Sequence, residues 1–149
     1  MKGYTYDVLD IARYIIERCN RQERSISNLK LQKILYFVQA EFLVSTGHPC
    51  FDEDFEAWSF GPVIPKVYHR YKVYGAGSIP VSEYKTQNLL ITQSDQEIMN
   101  RMIDECSKYS ATLLVNVTHR QAPWRQAYKK NGRNNIITKI SIKKYFGDD

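Results

Sequence analysis

The feature that most constrains this fold is one long apolar helix pattern between Ser27 and Gly47. Ser27 is a predicted N-cap, because its hydroxyl can accept a hydrogen bond from the first turn. Gly47 is a predicted C-terminal stop, since glycine adopts the left-handed conformation without strain. A helix this long and this apolar is expected to lie at the centre of the fold. The apolar residues that recur at helical spacing are Leu31, Ile34, Leu35, Val38 and Phe42.

Two further helices are predicted on either side of this central helix. Asp7 is the expected N-cap of a first helix that ends in the polar connection at residues 20–25. Pro65 suits the first position of a third helix, because the N–H that proline lacks would be unpaired there. The apolar stripe of the first helix comprises Val8, Ile11, Ala12, Ile15, Ile16 and Cys19, and Val67, Tyr68 and Tyr71 are expected to face inward on the third.

The second half of the chain contains another strong helix pattern and one ambiguous segment. Ser94 and Glu97 have the spacing of a capping box and predict a helix start. Residues 111–117 suit a buried strand as well as a helix. Pro123 is expected to open a helix that runs through Lys130 and stops at Gly132. The core face predicted for the helix after Ser94 comprises Ile98, Met99, Met102, Ile103 and Cys106.

Strand signals are few. Residues 51–58 predict a short strand or an extended loop, and residues 136–142 predict one more strand before a terminal turn at residues 143–146. Gly61 and Pro62 are expected to form a turn. The 149 residues suit one domain with its own core. The predicted fold is therefore mainly α, a compact single domain of about six helices with one or two short strands, covering residues 1–149.

Charge is distributed unevenly along the chain. Twelve Lys/Arg and fourteen Asp/Glu lie in residues 1–105, whereas residues 106–147 contain nine Lys/Arg and no acid. Such a basic segment can attract nucleic acid, an acidic protein face or another anionic surface. It can equally be a solvated helix surface. The candidate basic surface comprises Arg120, Arg125, Lys129, Lys130 and Arg133.

No recognisable catalytic spacing is present, and we expect neither an enzyme nor a cofactor. His48 and Cys50 precede Asp52, Glu53 and Asp54, which are residue types used by thiol nucleophiles and metal sites. Closeness in sequence is weak support for either, and a solvated turn after the central helix explains the same residues. No catalytic or metal-binding residue is therefore predicted.

The cysteines and the apolar pattern bear on the compartment. Three widely spaced cysteines fit a reducing compartment better than a disulfide framework. The sequence has neither a signal-peptide pattern nor an apolar run long enough to span a membrane. A cytoplasmic protein that does not interact with membranes is expected.

Aromatic residues make a better case for a binding surface. The chain contains eleven tyrosines, six phenylalanines and two tryptophans. Tyrosine and tryptophan often anchor interfaces, because one end is apolar and the other forms hydrogen bonds. Trp58 and Trp124 are each compatible with core packing or with presentation at a surface. His119 is expected to tie the helix before Pro123 to the helix after it.

The sequence resembles the Panacea domain of SocA-like antitoxins, a bacterial and phage-associated family. Helices are expected in that family, which favours a helix at residues 111–117. The segments that carry the resemblance are Asn28-Leu29-Lys30-Leu31-Gln32-Lys33, Leu35-Tyr36, residues 51–58, Gly61-Pro62-Val63, residues 68–71, Thr118-His119 and Pro123-Trp124.

The resemblance implies an antitoxin that neutralises a cognate protein toxin by direct contact, in some members as an adaptor that delivers the toxin to the ClpXP protease. Two alternatives remain: an inhibitor of a host defence enzyme encoded by a phage or mobile element, and a regulator that binds nucleic acid through the basic segment. The expected partner-binding residues are Trp58, Phe60, Gly61, Pro62, Tyr68, His119 and Trp124.

Overall fold

The computed structural model describes residues 5–81, 90–129 and 135–147, which form seven α-helices and one three-stranded antiparallel sheet. The mainly helical architecture is confirmed. The helices are α1 (Val8–Arg21), α2 (Asn28–Thr46), α3 (Pro65–Tyr71), α4 (Gln93–Cys106), α5 (Ala111–His119), α6 (Ala122–Ala127) and α7 (Lys139–Gly147). The strands are β1 (Phe55–Trp58), β2 (Gly61–Val63) and β3 (Ile136–Ile137), and a short 3-10 helix covers Lys72–Tyr74.

Helix α2 is the centre of the fold, as the apolar pattern predicts. It contacts α1, α3, α4, α5, α7 and β2. The Ser27 hydroxyl accepts a hydrogen bond from the Lys30 amide, and Gly47 adopts the left-handed conformation with φ of 79°. Both predicted ends are therefore confirmed. Leu31, Ile34, Leu35, Val38 and Phe42 are fully buried in one hydrophobic core.

Helices α1 and α4 pack beside each other on α2. Asp7 caps α1 through the Leu9 amide, and all six residues of the predicted apolar stripe are buried. The predicted capping box of α4 is wrong, because Thr92 is the N-cap and accepts a hydrogen bond from the Asp95 amide. Ser94 and Glu97 consequently lie inside the helix and are exposed. The predicted core face holds: Met99, Ile103 and Cys106 are buried, and Ile98 and Met102 are half-buried.

The sheet has the order β2-β1-β3. Trp58 pairs with Gly61, so Ser59 and Phe60 form a two-residue turn between β1 and β2. The predicted turn at Gly61-Pro62 is therefore displaced, since both residues lie in β2. Pro65 opens α3 as predicted, with Val67 and Tyr71 buried and Tyr68 half-buried.

The C-terminal segment differs most from the prediction. Residues 111–117 are helical, as the resemblance suggested, but α6 ends at Ala127. The expected stop at Lys130 and Gly132 lies outside the described residues. Of residues 136–142, only Ile136 and Ile137 form a strand. The Thr138 hydroxyl accepts a hydrogen bond from the Ser141 amide and starts α7. The predicted terminal turn is thus the end of that helix.

No helix in the described ranges is long and apolar enough to cross a membrane.

Candidate partner-binding site

Three aromatic side chains meet on the turn between β1 and β2 and the neighbouring helix α3. The Trp58 ring lies 5.6 Å from Phe60 and 5.1 Å from Tyr68, both nearly edge to face. Phe60 and Tyr68 are 6.1 Å apart. All three are half-buried, so each presents part of its ring to solvent. We call Trp58, Phe60 and Tyr68 the hairpin cluster.

A second aromatic group runs from α5 along α6. The His119 and Trp124 rings stack with their centroids 4.1 Å apart, and Tyr128 stacks on Trp124 at 4.5 Å. These three side chains are also half-buried. We call His119, Trp124 and Tyr128 the stacked column.

Hydrogen bonds to the β1–β2 turn place the two groups side by side. The Trp124 indole donates to the Trp58 carbonyl at 2.8 Å. The Nε2 of His119 lies 2.8 Å from the Ser59 carbonyl, and that nitrogen is the protonated one because a carbonyl can only accept. The hydrogen bond of His119 therefore ties α5 to the turn, and its predicted link to α6 is made by the ring, which stacks on Trp124.

A third bond holds strand β2, next to the turn, from inside the protein. The side chain of Lys33 on α2 has an exposed fraction of 0% and donates from Nζ to the Pro62 carbonyl at 2.7 Å. Burial lowers the pKa of Lys33 to about 7, because the charged form loses its hydration. The Lys33 ammonium position lies 5.8 Å from the centre of the Phe60 ring.

Gly61 is required where β2 passes over Lys33. Its φ of 106° is strained for any residue with a side chain. A Cβ atom there would lie 2.6 Å from Cε of Lys33 and 3.0 Å from Oγ1 of Thr118. Glycine thus lets the strand approach both side chains closely.

Other buried polar residues of α2 hold the segment that leads to the site. The Asn28 amide donates to the Tyr68 carbonyl, and Gln32 accepts from the Ile64 amide. Gln39 donates to the Phe51 carbonyl and accepts from the Cys50 amide. Sequence reasoning assigned no role to these residues. The available signal was their spacing of four and seven residues, which places them along one side of an apolar helix.

The structure brings the predicted partner-binding residues together, although they are far apart in sequence. Trp58, Phe60, Tyr68, His119 and Trp124 share one region around the turn. Gly61 and Pro62 are buried, so they lie beneath that region and do not reach its surface. Sequence reasoning did not include Lys33 or Tyr128 among the site residues.

Basic side chains flank the aromatic groups. Arg120 directly follows His119, and Arg125 directly follows Trp124; both are exposed, as is Lys129. The other two residues of the predicted basic surface, Lys130 and Arg133, lie outside the described residues.

Several residues considered for catalysis make contacts within the fold. Cys50 is buried, and Lys139 of α7 hydrogen-bonds the Asp52 carbonyl and the Asp54 carboxylate. Across residues 5–81, 90–129 and 135–147, no cluster of His, Cys, Asp and Glu suits a metal ion.

Comparison with known families identifies the family of the chain. The sequence model described as "Antitoxin SocA-like, Panacea domain" matches residues 31–125. The chain belongs to the SocA-like Panacea domain family. The matched segment of the Panacea domain begins on α2 just before Lys33 and ends on α6 just after Trp124, so it includes the hairpin cluster and two members of the stacked column.

A relative within the family carries a functional name. This chain is 34% identical over 128 residues to Antitoxin SocA from Caulobacter vibrioides (strain NA1000 / CB15N). The alignment covers 79% of this chain and 68% of that relative. No solved structure matches the chain.

Proposed function

We propose that this Panacea domain is an antitoxin that neutralises a protein toxin by binding it through the hairpin cluster and the stacked column. The observation that carries the proposal is the fixed segment at residues 58–62, the β1–β2 turn with the strand residues beside it, where Trp124, His119 and Lys33 hold three backbone carbonyls. Aromatic side chains on a pre-organised backbone bind a partner at a low entropic cost. Family membership supports the antitoxin role.

The charge around this surface favours an acidic partner. Arg120 and Arg125 are exposed beside His119 and Trp124, in a segment that contains no acid between residues 106 and 147. Complementary charge speeds association and aligns the partners, while the buried aromatic contacts supply most of the affinity. The proposed toxin therefore presents an acidic patch beside an apolar one.

Two mechanisms of neutralisation are compatible with such a surface. The antitoxin blocks the toxin directly, or it delivers the toxin to a protease such as ClpXP. A host defence enzyme in place of a toxin requires the same contact. We place this function in the cytoplasm, supported by Cys19, Cys50 and Cys106, which are free thiols.

A nucleic-acid-binding role is the competing proposal. Arg120, Arg125 and Lys129 supply exposed positive charge for it. The aromatic rings support it less, because bases need an open ring face and the Trp124 ring is already stacked against His119 and Tyr128. We therefore favour a protein partner.

The first experiment is a pull-down from the native host with tagged protein at moderate salt, followed by mass spectrometry. We expect one protein at equal stoichiometry, and its expression should arrest growth unless the antitoxin is co-expressed. Recovery of nucleic acid alone, lost as salt rises, would favour the competing proposal.

Matched variants then test the surface. Phe60→Ala removes an aromatic ring from the hairpin cluster, and Tyr109→Ala removes an exposed ring between α4 and α5 whose hydroxyl bonds Glu105 of α4. We expect Phe60→Ala to lose neutralisation and Tyr109→Ala to retain it, with both proteins folded by circular dichroism. Equal protection by the two variants would place the interface elsewhere. Toxin half-life with and without ClpXP separates degradation from direct inhibition.

A further inference from the structure

Lys33 lies directly beneath the candidate interface but contributes no atom to its surface. Its Nζ donates to the Pro62 carbonyl, and its side chain fills the space left by Gly61. Among the described residues, that carbonyl is the one hydrogen-bond acceptor of Nζ. A charged ammonium has three donors, so the pocket satisfies a neutral amine better than a charged one.

A second buried lysine on the same helix, Lys30, bonds carbonyls in a different part of the fold. Lys30 has an exposed fraction of 9%, and its Nζ donates to the carbonyls of Ser107 and Ser25 at 2.8 Å and 3.4 Å. Those two carbonyls lie outside the β1–β2 turn. Burial also lowers the pKa of Lys30, but its Nζ bonds those other carbonyls, whereas Nζ of Lys33 bonds Pro62 of the hairpin.

We propose that Lys33 is a positioning residue for the candidate interface. Lys33 holds the β1–β2 turn through Pro62, and the shape of that turn changes when Nζ gains or loses a proton. The link from the turn to partner binding rests on the proposed function. The effect of Lys33 protonation on the shape of the turn is independent of that function.

The surroundings of Nζ explain why a proton changes the turn. A charged Nζ is attracted to the face of the Phe60 ring, 5.8 Å away. It also needs more acceptors than Pro62 supplies, and the nearest side-chain oxygen around Gly61 is Oγ1 of Thr118. Both Phe60 and Pro62 belong to the hairpin. Protonation is therefore expected to move Phe60 relative to α2.

Other titratable groups on the neighbouring elements do not account for the lowered pKa of Lys33. His119 follows Thr118 on α5, Tyr68 of α3 contacts Phe60, and Lys30 and Tyr36 lie one turn away on α2. None of them shifts the pKa of Lys33, which burial alone lowers to about 7. His119 contacts Ser59, however, so the measurement on the turn uses a variant in which His119 is replaced by an uncharged side chain.

The test follows the backbone amide NMR signals of Ser59, Phe60, Gly61 and Val63 between pH 6 and 8.5, in a His119→Gln background. We expect these signals to titrate together with a midpoint within about one pH unit of 7. Lys33→Met should abolish the titration, and Lys30→Met, the matched control, should retain it. Signals that do not titrate, or that titrate unchanged in Lys33→Met, overturn the proposal.

A measurement on the unsubstituted side chain covers the case in which Lys33→Met fails to fold. Lysine labelled with ¹³C at Cε reports the protonation of Lys33 directly. A midpoint near that of free lysine overturns the proposal, whereas a midpoint near that of the turn amides supports it.

The neutralisation test with Phe60→Ala distinguishes a failure of the proposed interface from a failure of the proposal for Lys33. If the turn amides titrate with Lys33 but Phe60→Ala still neutralises the toxin, Lys33 controls the turn and the proposed interface is wrong. If the amides titrate and toxin affinity changes with the same midpoint, both proposals are supported.

Discussion

The indole of Trp124 donates a hydrogen bond to the Trp58 carbonyl across 66 residues of sequence, at 2.8 Å. Trp124 also packs against the hydrophobic core and stacks on His119. We expect Trp124→Ala to lower the free energy of unfolding by about 3 kcal/mol, because it removes both the ring and the bond. Trp124→Phe keeps a stacking ring and should cost about 1 kcal/mol. Urea denaturation measures both, and two small, equal changes would mean that Trp124 is not structural.

Gly61 and Gly47 provide a matched pair of glycines with positive φ. A side chain at Gly47 meets nothing within 4 Å, so Gly47→Ala should cost only the left-handed backbone penalty of about 1–2 kcal/mol. Gly61→Ala places its Cβ too close to Lys33 and Thr118, on a backbone that is more strained than that of Gly47. We expect it to cost clearly more than Gly47→Ala in thermal and urea unfolding. Equal costs would show that Lys33 moves away freely.

Asp104 of α4 is the carboxylate partner of Arg18 on α1, with Nε and Oδ1 2.7 Å apart. The hydrogen bonds from Arg18 hold the pKa of Asp104 below its usual value. A lowered pKa stabilises the folded state above the unfolded-state pKa, and this contribution is lost as the pH falls through the folded-state pKa. Both side chains are partly exposed, so we expect Asp104→Asn to cost only about 1 kcal/mol at pH 7.

Acid titration of stability checks this prediction. The difference between the unsubstituted protein and Asp104→Asn should shrink as the pH falls below about 4. Glu41→Gln serves as a control, because its partner Arg101 is more exposed than Arg18. A difference that stays constant down to low pH would assign the loss to packing and not to the charge.

Local sequence signals were enough to predict the ends of several helices. Asp7, Ser27, Gly47 and Pro65 act through their own backbone or the next turn, so no knowledge of the fold is needed. Residue spacing likewise indicated the buried stripe of α1. Thr92 was missed as the cap of α4 because Ser94 and Glu97 offer the same local chemistry two residues later.

The remaining elements depend on contacts between distant residues. Ile137 forms a strand only because Phe55 lies opposite, 82 residues earlier in the chain. Residues 139–147 are helical although their isoleucines favour strands, since Ile142 packs into the core. In the site, aromatic composition pointed to Trp58 and Trp124. The role of Lys33 depends on Pro62 and Gly61 passing over it, and no local pattern carries that information.

Burial of Lys33 also predicts an unusual dependence of stability on pH. Its folded-state pKa of about 7 is below the ordinary value of 10.5, so the unfolded chain binds more protons between these values. The free energy of unfolding should therefore rise with pH above about 7, by up to about 1.4 kcal/mol per pH unit. Lys33→Met should remove most of this slope, and Lys30→Met should retain most of it.

The measurement uses urea denaturation between pH 7 and 8.5. The opposite effect begins near the top of that range and grows above it, because an exposed thiol titrates at about 8.5, whereas burial raises the pKa of the Cys19 thiol to about 11 and that of the Cys106 thiol to about 12. These thiols stay protonated in the folded state while the unfolded chain loses their protons, which lowers stability as the pH rises. Both thiols are present in every variant, so the comparison isolates the lysine. An identical slope in Lys33→Met and the unsubstituted protein would show that Lys33 is charged when folded.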